Sequence, residues 1–344
     1  MTSTSTTTST ARTPAARRRS LLAAPSIVVA PGVFDGISAC MALKAGHKAP
    51  YQTGAGTSAS HLARADLGFL GMSDMIGAAG VSIMADPSML TTVIADADTG
   101  FGGAPQVART VQEYHRAGIA ALHIEDQVQS KRCGHLDSKQ IVSRFEFLSR
   151  ITSAVHARDS LPCSPTDRIL IIARTDALAV EGLDEAIERL RLAHSAGAGM
   201  GFLEGMRSNA EVQTAMAKLP DLPMLANCVT GGKSPLWTAG QAEELGFKLA
   251  IFPRAGIFPA AKALLASYAH LADAGIGIEA ETQSGKREVD LGGADPMGLR
   301  DFFADMGLEH EVRIDRLAAS EAGLGDVGRE NGFQRSVTTA TGTR

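Results

Sequence analysis

No apolar run in this chain approaches the roughly 18 residues that a membrane span needs, so no segment reads as a bilayer anchor. Aromatic residues are scarce, at 5% with one tryptophan, which removes the stacking platforms that hold single-stranded nucleic acid. Neither sign of charge is in excess. The 33 lysines and arginines face 37 acids for a net charge of −4, leaving no basic footprint for nucleic acid. Cysteine is also sparse: Cys40, Cys133, Cys163 and Cys228 lie far apart and form no C-x-x-C pair. In a chain of 344 residues that pattern excludes a disulfide framework and reads as reduced and intracellular. Finally, no acid precedes Asp35, whereas Arg12, Arg17, Arg18 and Arg19 all stand before it. The Ser/Thr-rich stretch 1–20 therefore reads as a disordered tail or a mitochondrial presequence. A cytoplasmic protein is expected, with the mitochondrial matrix as the alternative.

Glycine is abundant, with 36 residues, and suits a chain with many strand–helix turns. Short apolar, β-branched runs recur at 26–30, 49–53, 91–96, 120–125, 169–174, 201–204, 223–227 and 249–253. Each is followed by a turn and a helical stretch. In "APQVARTVQEYHRAG", Val107, Val111 and Tyr114 make an apolar stripe closed by Gly118; "DEAIERLRLAHSAG" repeats the design with Ile187, Leu190 and Gly197. Eight such units predict a (β/α)8 TIM-type barrel. The alternative, a doubly wound open sheet, lacks its G-x-G-x-x-G after the first strand. The expected organisation is a tail at 1–20, a barrel at 21–275, a C-terminal helical arm at 276–325 and a flexible tail at 326–344.

Barrel sites lie where strands end. Those positions hold Thr53 and Gly54, Asp96 and Asp98, Glu125 and Asp126, Arg174 and Asp176, Glu204, Asn227 and Arg254. Asp96 and Asp98, two apart, fall on one side of an extended chain, and Glu125 can share their space. Acids crowded in a cleft need a cation, and oxygen ligands without a histidine pair suit Mg2+ or Mn2+ better than Zn2+. The plainer reading makes Asp98 a turn cap and Glu125 an arginine partner. Arg174, at the end of an apolar strand, needs an anion, either Asp176 or a substrate carboxylate. Acids binding a metal, opposite an arginine, describe a pocket for a small polycarboxylate or phosphorylated acid. In "KRCGH", Lys131 and Arg132 favour a thiolate at Cys133, with His135 two residues on. From its neighbours alone this thiol is either a proton carrier or an inert loop residue, and no second Cys/His cluster completes a zinc site.

Seven pieces, "PGVFDG", "TGAGTSAS", "ADADTGFGG", "HIEDQ", "KRCGH", "ARTDAL" and "LANCVTGGKSP", together resemble the isocitrate lyase / phosphoenolpyruvate mutase superfamily, over about three quarters of the chain. The resemblance implies that Asp96 binds Mg2+, with Asp98, Glu125 and Asp66 supporting it through water. It assigns Tyr51, Thr53, Gly54 and Ala55 to the substrate's carboxylate and 2-oxygen. Arg174, Glu204 and Asn227 match further substrate-site positions. Cys133 matches the lyases' general acid, in a motif that also brings His135, Lys131, Arg132 and Gly134 to the site. Family members are similar in forming homotetramers that swap a C-terminal helix, and "DPMGLRDFFADMG" would belong to that arm.

The implied reaction is Mg2+-dependent cleavage of the C2–C3 bond of a small 2-hydroxy or hydrated 2-oxo di- or tricarboxylate. The motif "KRCGH" is missing from the family's phosphonate-forming mutases, so its presence argues for a lyase. "TGAGTSAS" and "NCVTGGKSP" are similar to members that cleave 2-alkylmalates or oxaloacetate, which favours a substituted malate. Pro253 stands where oxaloacetate hydrolases tend to carry serine, and Thr230 where relatives often carry glutamate. 2-Methylisocitrate and oxaloacetate cleavage are the alternatives, followed by a mutase or a non-catalytic family member. A Schiff-base aldolase lacks a lysine at any expected strand end.

Overall fold

A computed structural model describes residues 13–131, 139–232, 234–277 and 298–321. Eight parallel strands close into a barrel in chain order: β1 Val28–Val33, β2 Tyr51–Gln52, β3 Ile94–Asp96, β4 Ala121–Glu125, β5 Leu170–Thr175, β6 Met200–Leu203, β7 Met224–Asn227 and β8 Leu249–Phe252. The expected (β/α)8 fold is what the chain adopts. Five of the strands, β2, β3, β4, β7 and β8, are shorter than their apolar runs, whereas β1 runs on to Val33. At 91–93, for example, Val93 N–H donates to the Thr91 carbonyl in a local turn, so the β3 ladder starts at Ile94.

Alternation sorts each strand. On β4, Leu122 and Ile124 face the outer helices and join the larger core, whereas Ala121 packs inside the barrel with Ile94, Ile172 and Leu249. In chain order the helices start with α1 Pro14–Ala23, α2 Gly36–Lys44, α3 Gly54–Leu62, α4 Met72–Met84 and α5 Ala104–Arg116. They continue with α6 Arg144–Asp159, α7 Leu183–Ser195, α8 Asn209–Lys218, α9 Ala239–Glu244 and α10 Ile257–Ala274. On α5, Val107, Val111 and Tyr114 are all buried, as their spacing predicts.

The ends of the sheet meet where β1 pairs with β8. A Cβ on Gly32 would lie 2.2 Å from the Pro253 carbonyl oxygen, so only glycine fits the chain's close approach there.

One expectation is corrected. The stretch 1–20 contains the start of a helix, α1, whose N-cap Thr13 accepts from Ala16 N–H at 3.1 Å and whose first residue is Pro14. The acid-free, arginine-rich composition reads as tail because it hides a burial signal. Arg18 is buried and donates to the Ala120 carbonyl at 3.1 Å, and Leu21 and Leu22 pack against the inner barrel core. Helix α1 thus covers the strands' N-terminal mouth.

The chain divides into two compact units, 1–269 and 270–344. Besides the end of α10, the described helices of the second are α11 Leu299–Asp305 and α12 Leu308–Glu321, within the region expected as the arm. No helix among the described residues is long and apolar enough to cross a membrane.

Replacing Arg18 by alanine removes the hydrogen bonds that tie α1 to the Ala120 and Arg168 carbonyls, leaving Ala120 with the Leu170 amide alone, and is expected to cost about 1–3 kcal/mol. Urea unfolding would register this as a lower midpoint at constant slope; an unmoved midpoint would mean that α1 does not help to hold the barrel.

Candidate active site

The polar residues gather at the C-terminal strand ends because the inward positions change from aliphatic to charged there. Ile94 is followed inward by Asp96, Ala121 by His123 and Glu125, Ile172 by Arg174, and Leu225 by Asn227. Register brings neighbours into line: Asp96 pairs with His123, and Glu125 with Arg174.

Asp96 ends β3, and the chain then turns through left-handed backbone at Asp98 (φ 47°), Gly100 (φ 85°) and Phe101 (φ 60°). Asp98 therefore reaches the site by a turn rather than by strand alternation, contrary to the extended-chain expectation. Its amide donates to Asp96 Oδ1 at 2.9 Å, and its carbonyl accepts from the Glu125 amide at 2.9 Å. Gly54, the first residue of α3, lies against Asp96: a Cβ there would meet Asp96 Oδ2 at 2.5 Å. Thr53 caps α3, accepting from Gly56 N–H at 3.3 Å. The following amides, of Gly54 and Ala55, belong to the first turn and have no intrahelical acceptor.

Two cations sit among the acids. Lys131 is buried, with Nζ 2.7 Å from Asp66 Oδ1 and in ion contact with Asp98. It was expected to face substrate; the structure engages it with two of the acids expected to support a metal. Arg174 places Nη1 2.9 Å from Glu125 Oε2, Nε 3.1 Å from Asp176 Oδ2, and Nη2 3.7 Å from Glu204 Oε2. Its guanidinium lies over the Phe202 ring, 5.0 Å from the centroid. Asn227 Nδ2 donates to Glu204 Oε2 at 2.9 Å.

Burial would raise the Asp96 carboxyl, but His123, Lys131 and Arg174 outweigh it and hold the group far below the usual carboxylate range. Asp98 goes the other way. Burial, with Asp96 and Asp66 alongside, pushes it up to about 7 despite Lys131. Burial pushes the Glu125 carboxyl up, while Arg174, 2.9 Å away, favours its charged form.

Cys133, His135, Arg132 and Gly134 lie outside the described residues. Of the remaining expected residues, Tyr51, Thr53, Gly54, Asp96, Asp98, Glu125, Lys131, Arg174 and Glu204 are buried. Asp66 joins them through Lys131, Asn227 through Glu204, and Ala55 through α3. The sequence reading left out His123. It is fully buried, with Nε2 2.9 Å from the Tyr51 hydroxyl and Nδ1 3.6 Å from Asp96 Oδ1. Burial pushes its pKa down to about 4 despite Asp96, so the ring is neutral at pH 7. The signal was there: His123 shares the inward parity of Glu125 in "ALHIE". Gln52 was missed as well; it donates to Thr57 Oγ1 at 2.6 Å and accepts from Ser82 Oγ at 2.7 Å, tying β2 to α3 and α4.

Among the described residues no three acidic, histidine or cysteine side chains converge into a metal-binding geometry. The donor chemistry nonetheless suits a hard divalent cation. Asp66, Asp96, Asp98, Glu125 and Glu204 surround Lys131 and Arg174, and Glu125 Oε1, Glu204 Oε1 and Asn227 Oδ1 are buried acceptors without a hydrogen-bond donor. An oxygen-rich site with acceptors to spare can take up positive charge.

The family profile described as phosphoenolpyruvate phosphomutase matches residues 18–272. The chain belongs to this family. Within it, the chain is 41% identical over 251 residues to 2,3-dimethylmalate lyase of Eubacterium barkeri, covering 73% of this chain and 83% of the relative. It is 42% identical over 235 residues to 2-methylisocitrate lyase of Aeropyrum pernix, covering 68% and 72%. Among solved structures, oxaloacetate acetylhydrolase with 3,3-difluorooxalacetate superposes with a TM-score of 0.81 at 40% identity, over 90% of this chain and 98% of that one. A phosphonopyruvate hydrolase complexed with oxalate and Mg2+ superposes at 0.72 with 25% identity, over 88% and 98%. The family that the seven motifs indicated is thus the right one, and within it the two relatives at 41% and 42% identity are named lyases.

Gly54→Ala would push a methyl group into the Asp96 carboxylate and is expected to lower turnover about 100-fold, the scale on which a misplacement of about 1 Å acts. Steady-state assays with thermal unfolding check this: undiminished turnover in a folded variant would remove the Gly54–Asp96 contact from the site.

Proposed function

We propose that the protein is a Mg2+-dependent carbon–carbon lyase that cleaves a small 2-hydroxy dicarboxylate, a substituted malate in first place. The observation that carries this reading is the buried acid cluster at the ends of β3 and β4, faced by Arg174 on β5. Support also comes from the 41% identity to a 2,3-dimethylmalate lyase. Asp96, with Asp98, Glu125 and Asp66 around it, would hold the Mg2+. When bound, the ion supplies Lewis-acid polarisation of the substrate's 2-oxygen and neutralises the acids.

The chain's own residues do the rest. The first-turn amides of α3 receive a substrate carboxylate, as helix N-termini do. The Tyr51 hydroxyl is anchored on neutral His123, which also faces Asp96, and orients the oxygen at C2. Glu204 and Asn227 hold each other and position the rest of the substrate. As the C2–C3 bond breaks, the hydroxyl at C2 gives its proton to a carboxylate of the acid cluster and becomes the carbonyl of a 2-oxo acid. The electron pair passes to C3, and Arg174 stabilises the developing negative charge. Cys133 gives its proton to C3, and the second product leaves as a carboxylic acid.

A second reading, cleavage of hydrated oxaloacetate, draws on the 40% identity to oxaloacetate acetylhydrolase. Against it, Pro253 after β8 offers no hydroxyl. A homotetramer and a cytoplasmic location belong to the same proposal. The assembly is supported by apolar side chains left exposed on the C-terminal helices, Leu265 and Tyr268 on α10 and Leu299 and Leu317 on α11 and α12.

The deciding experiment is an NMR or mass-spectrometric cleavage screen in Mg2+. Its substrates are 2,3-dimethylmalate, other 2-alkylmalates, methylisocitrate, isocitrate and oxaloacetate, with Cys133→Ser as control. Cleavage of an alkylmalate by wild type alone is expected, and preferential oxaloacetate cleavage would establish the second reading instead. In the same assay Asp96→Ala and chelator-treated wild type should both be inactive; full activity after chelation would remove the metal.

A further inference from the structure

The described residues on either side of 132–138 are both buried lysines. Lys131 is spent on Asp66 and Asp98. Lys139 points elsewhere, with Nζ 2.5 Å from Asp176 Oδ1. The backbone of Asp176 is fixed: its amide donates to Asp126 Oδ1 at 2.8 Å, and Asp126 Oδ2 in turn accepts from Thr175 Oγ1 at 2.5 Å and from Arg189 Nη1 at 3.2 Å. Only the Asp176 carboxylate is shared between cations, with Oδ1 on Lys139 and Oδ2 on Arg174 Nε.

That division decides how Arg174 is presented. An arginine beside a free carboxylate prefers a two-point, fork-to-fork contact. Because Lys139 occupies one oxygen of Asp176, Arg174 meets it through Nε alone. Its two terminal nitrogens are left for the opposite side, Nη1 at 2.9 Å from Glu125 and Nη2 at 3.7 Å from Glu204. We propose that Lys139 is a positioning residue for Arg174: by holding Asp176 Oδ1 it limits Arg174 to a one-point contact there and keeps the terminal nitrogens turned to the Glu125–Glu204 side. The orientation of Arg174 follows from these contacts alone; its effect on turnover rests on the lyase reading above.

The test uses full-length wild type, Lys139→Met and Lys139→Arg, each crystallised, and each assayed with the substrate that the cleavage screen selects. In Lys139→Met, Arg174 is expected to form a two-point pair with Asp176 through Nε and Nη2 and so to draw Nη2 away from Glu204. Turnover should fall about 100-fold, as for loss of one preorganised charge-stabilising group, while KM stays within about threefold, the signature of an interaction that matters in the transition state. Lys139→Arg should restore the one-point contact and most of the turnover. An Arg174 that keeps its wild-type pose in Lys139→Met overturns the proposal. So does a rise in KM at constant kcat, or an arginine variant no better than methionine. Should Lys139→Met not fold, Lys139→Gln replaces it under the same criteria. If wild type cleaves nothing in the screen, the lyase reading fails, while the crystallographic pose of Arg174 still decides the role of Lys139.

Discussion

The ion pair between Arg174 and Glu125 is the contact on which the rest of the site depends. Glu125 is inaccessible to solvent on β4, and leaving water costs a carboxylate several kcal/mol unless a partner compensates. The partner comes from the adjacent strand at the paired register position, so the backbone ladder itself brings the two charges together. Arg174 is then shared outward to Asp176 and Glu204, and Glu204 to Asn227. Four strands, β4 to β7, contribute to one connected set of charges and amides. A slip in any of their registers would turn a charged side chain into the outer core, which makes the site a constraint on the fold as well as its product.

Other buried arginines do different work. Arg150 donates to the Glu125 and Gln127 carbonyls, and Arg189 reaches both Asp126 and the Val142 carbonyl. Both come from outer helices and fasten the backbone that follows β4. Arg18 does the same at the opposite mouth. In each case a long side chain with several donors reaches backbone carbonyls at the ends of the strands, which lysine, with its single nitrogen, would do less completely.

Much of this was legible in the sequence, for physical reasons that can be named. Eight apolar runs with helices between them specify a parallel sheet covered on both faces, and the absence of a G-x-G-x-x-G after the first run favours closure over an open doubly wound sheet. Asp96, Glu125, Arg174, Glu204 and Asn227 stood out as polar ends on apolar strands. His123 did not stand out, because one histidine inside "ALHIE" resembles an ordinary strand residue until inward parity is counted from Glu125. Lys139 was hidden for another reason: its partner, Asp176, is 37 residues away, and no local pattern records such a pairing. Helix α1 was masked by composition, since arginines that cap a barrel and arginines that decorate a tail look alike in one dimension.

The close approach of Gly32 to Pro253 bears on how such a site diversifies. The atoms that exclude a side chain at Gly32 belong to the backbone of residue 253, so the glycine is demanded by the chain path, whatever side chain follows β8. The two positions are therefore constrained differently by the chain path. Gly32 is locked by the architecture and carries no information about what is cleaved, whereas position 253 is released to vary beside it without disturbing the seam. A lineage could exchange a proline for a hydroxyl-bearing residue there in one step and explore new chemistry on an unchanged scaffold.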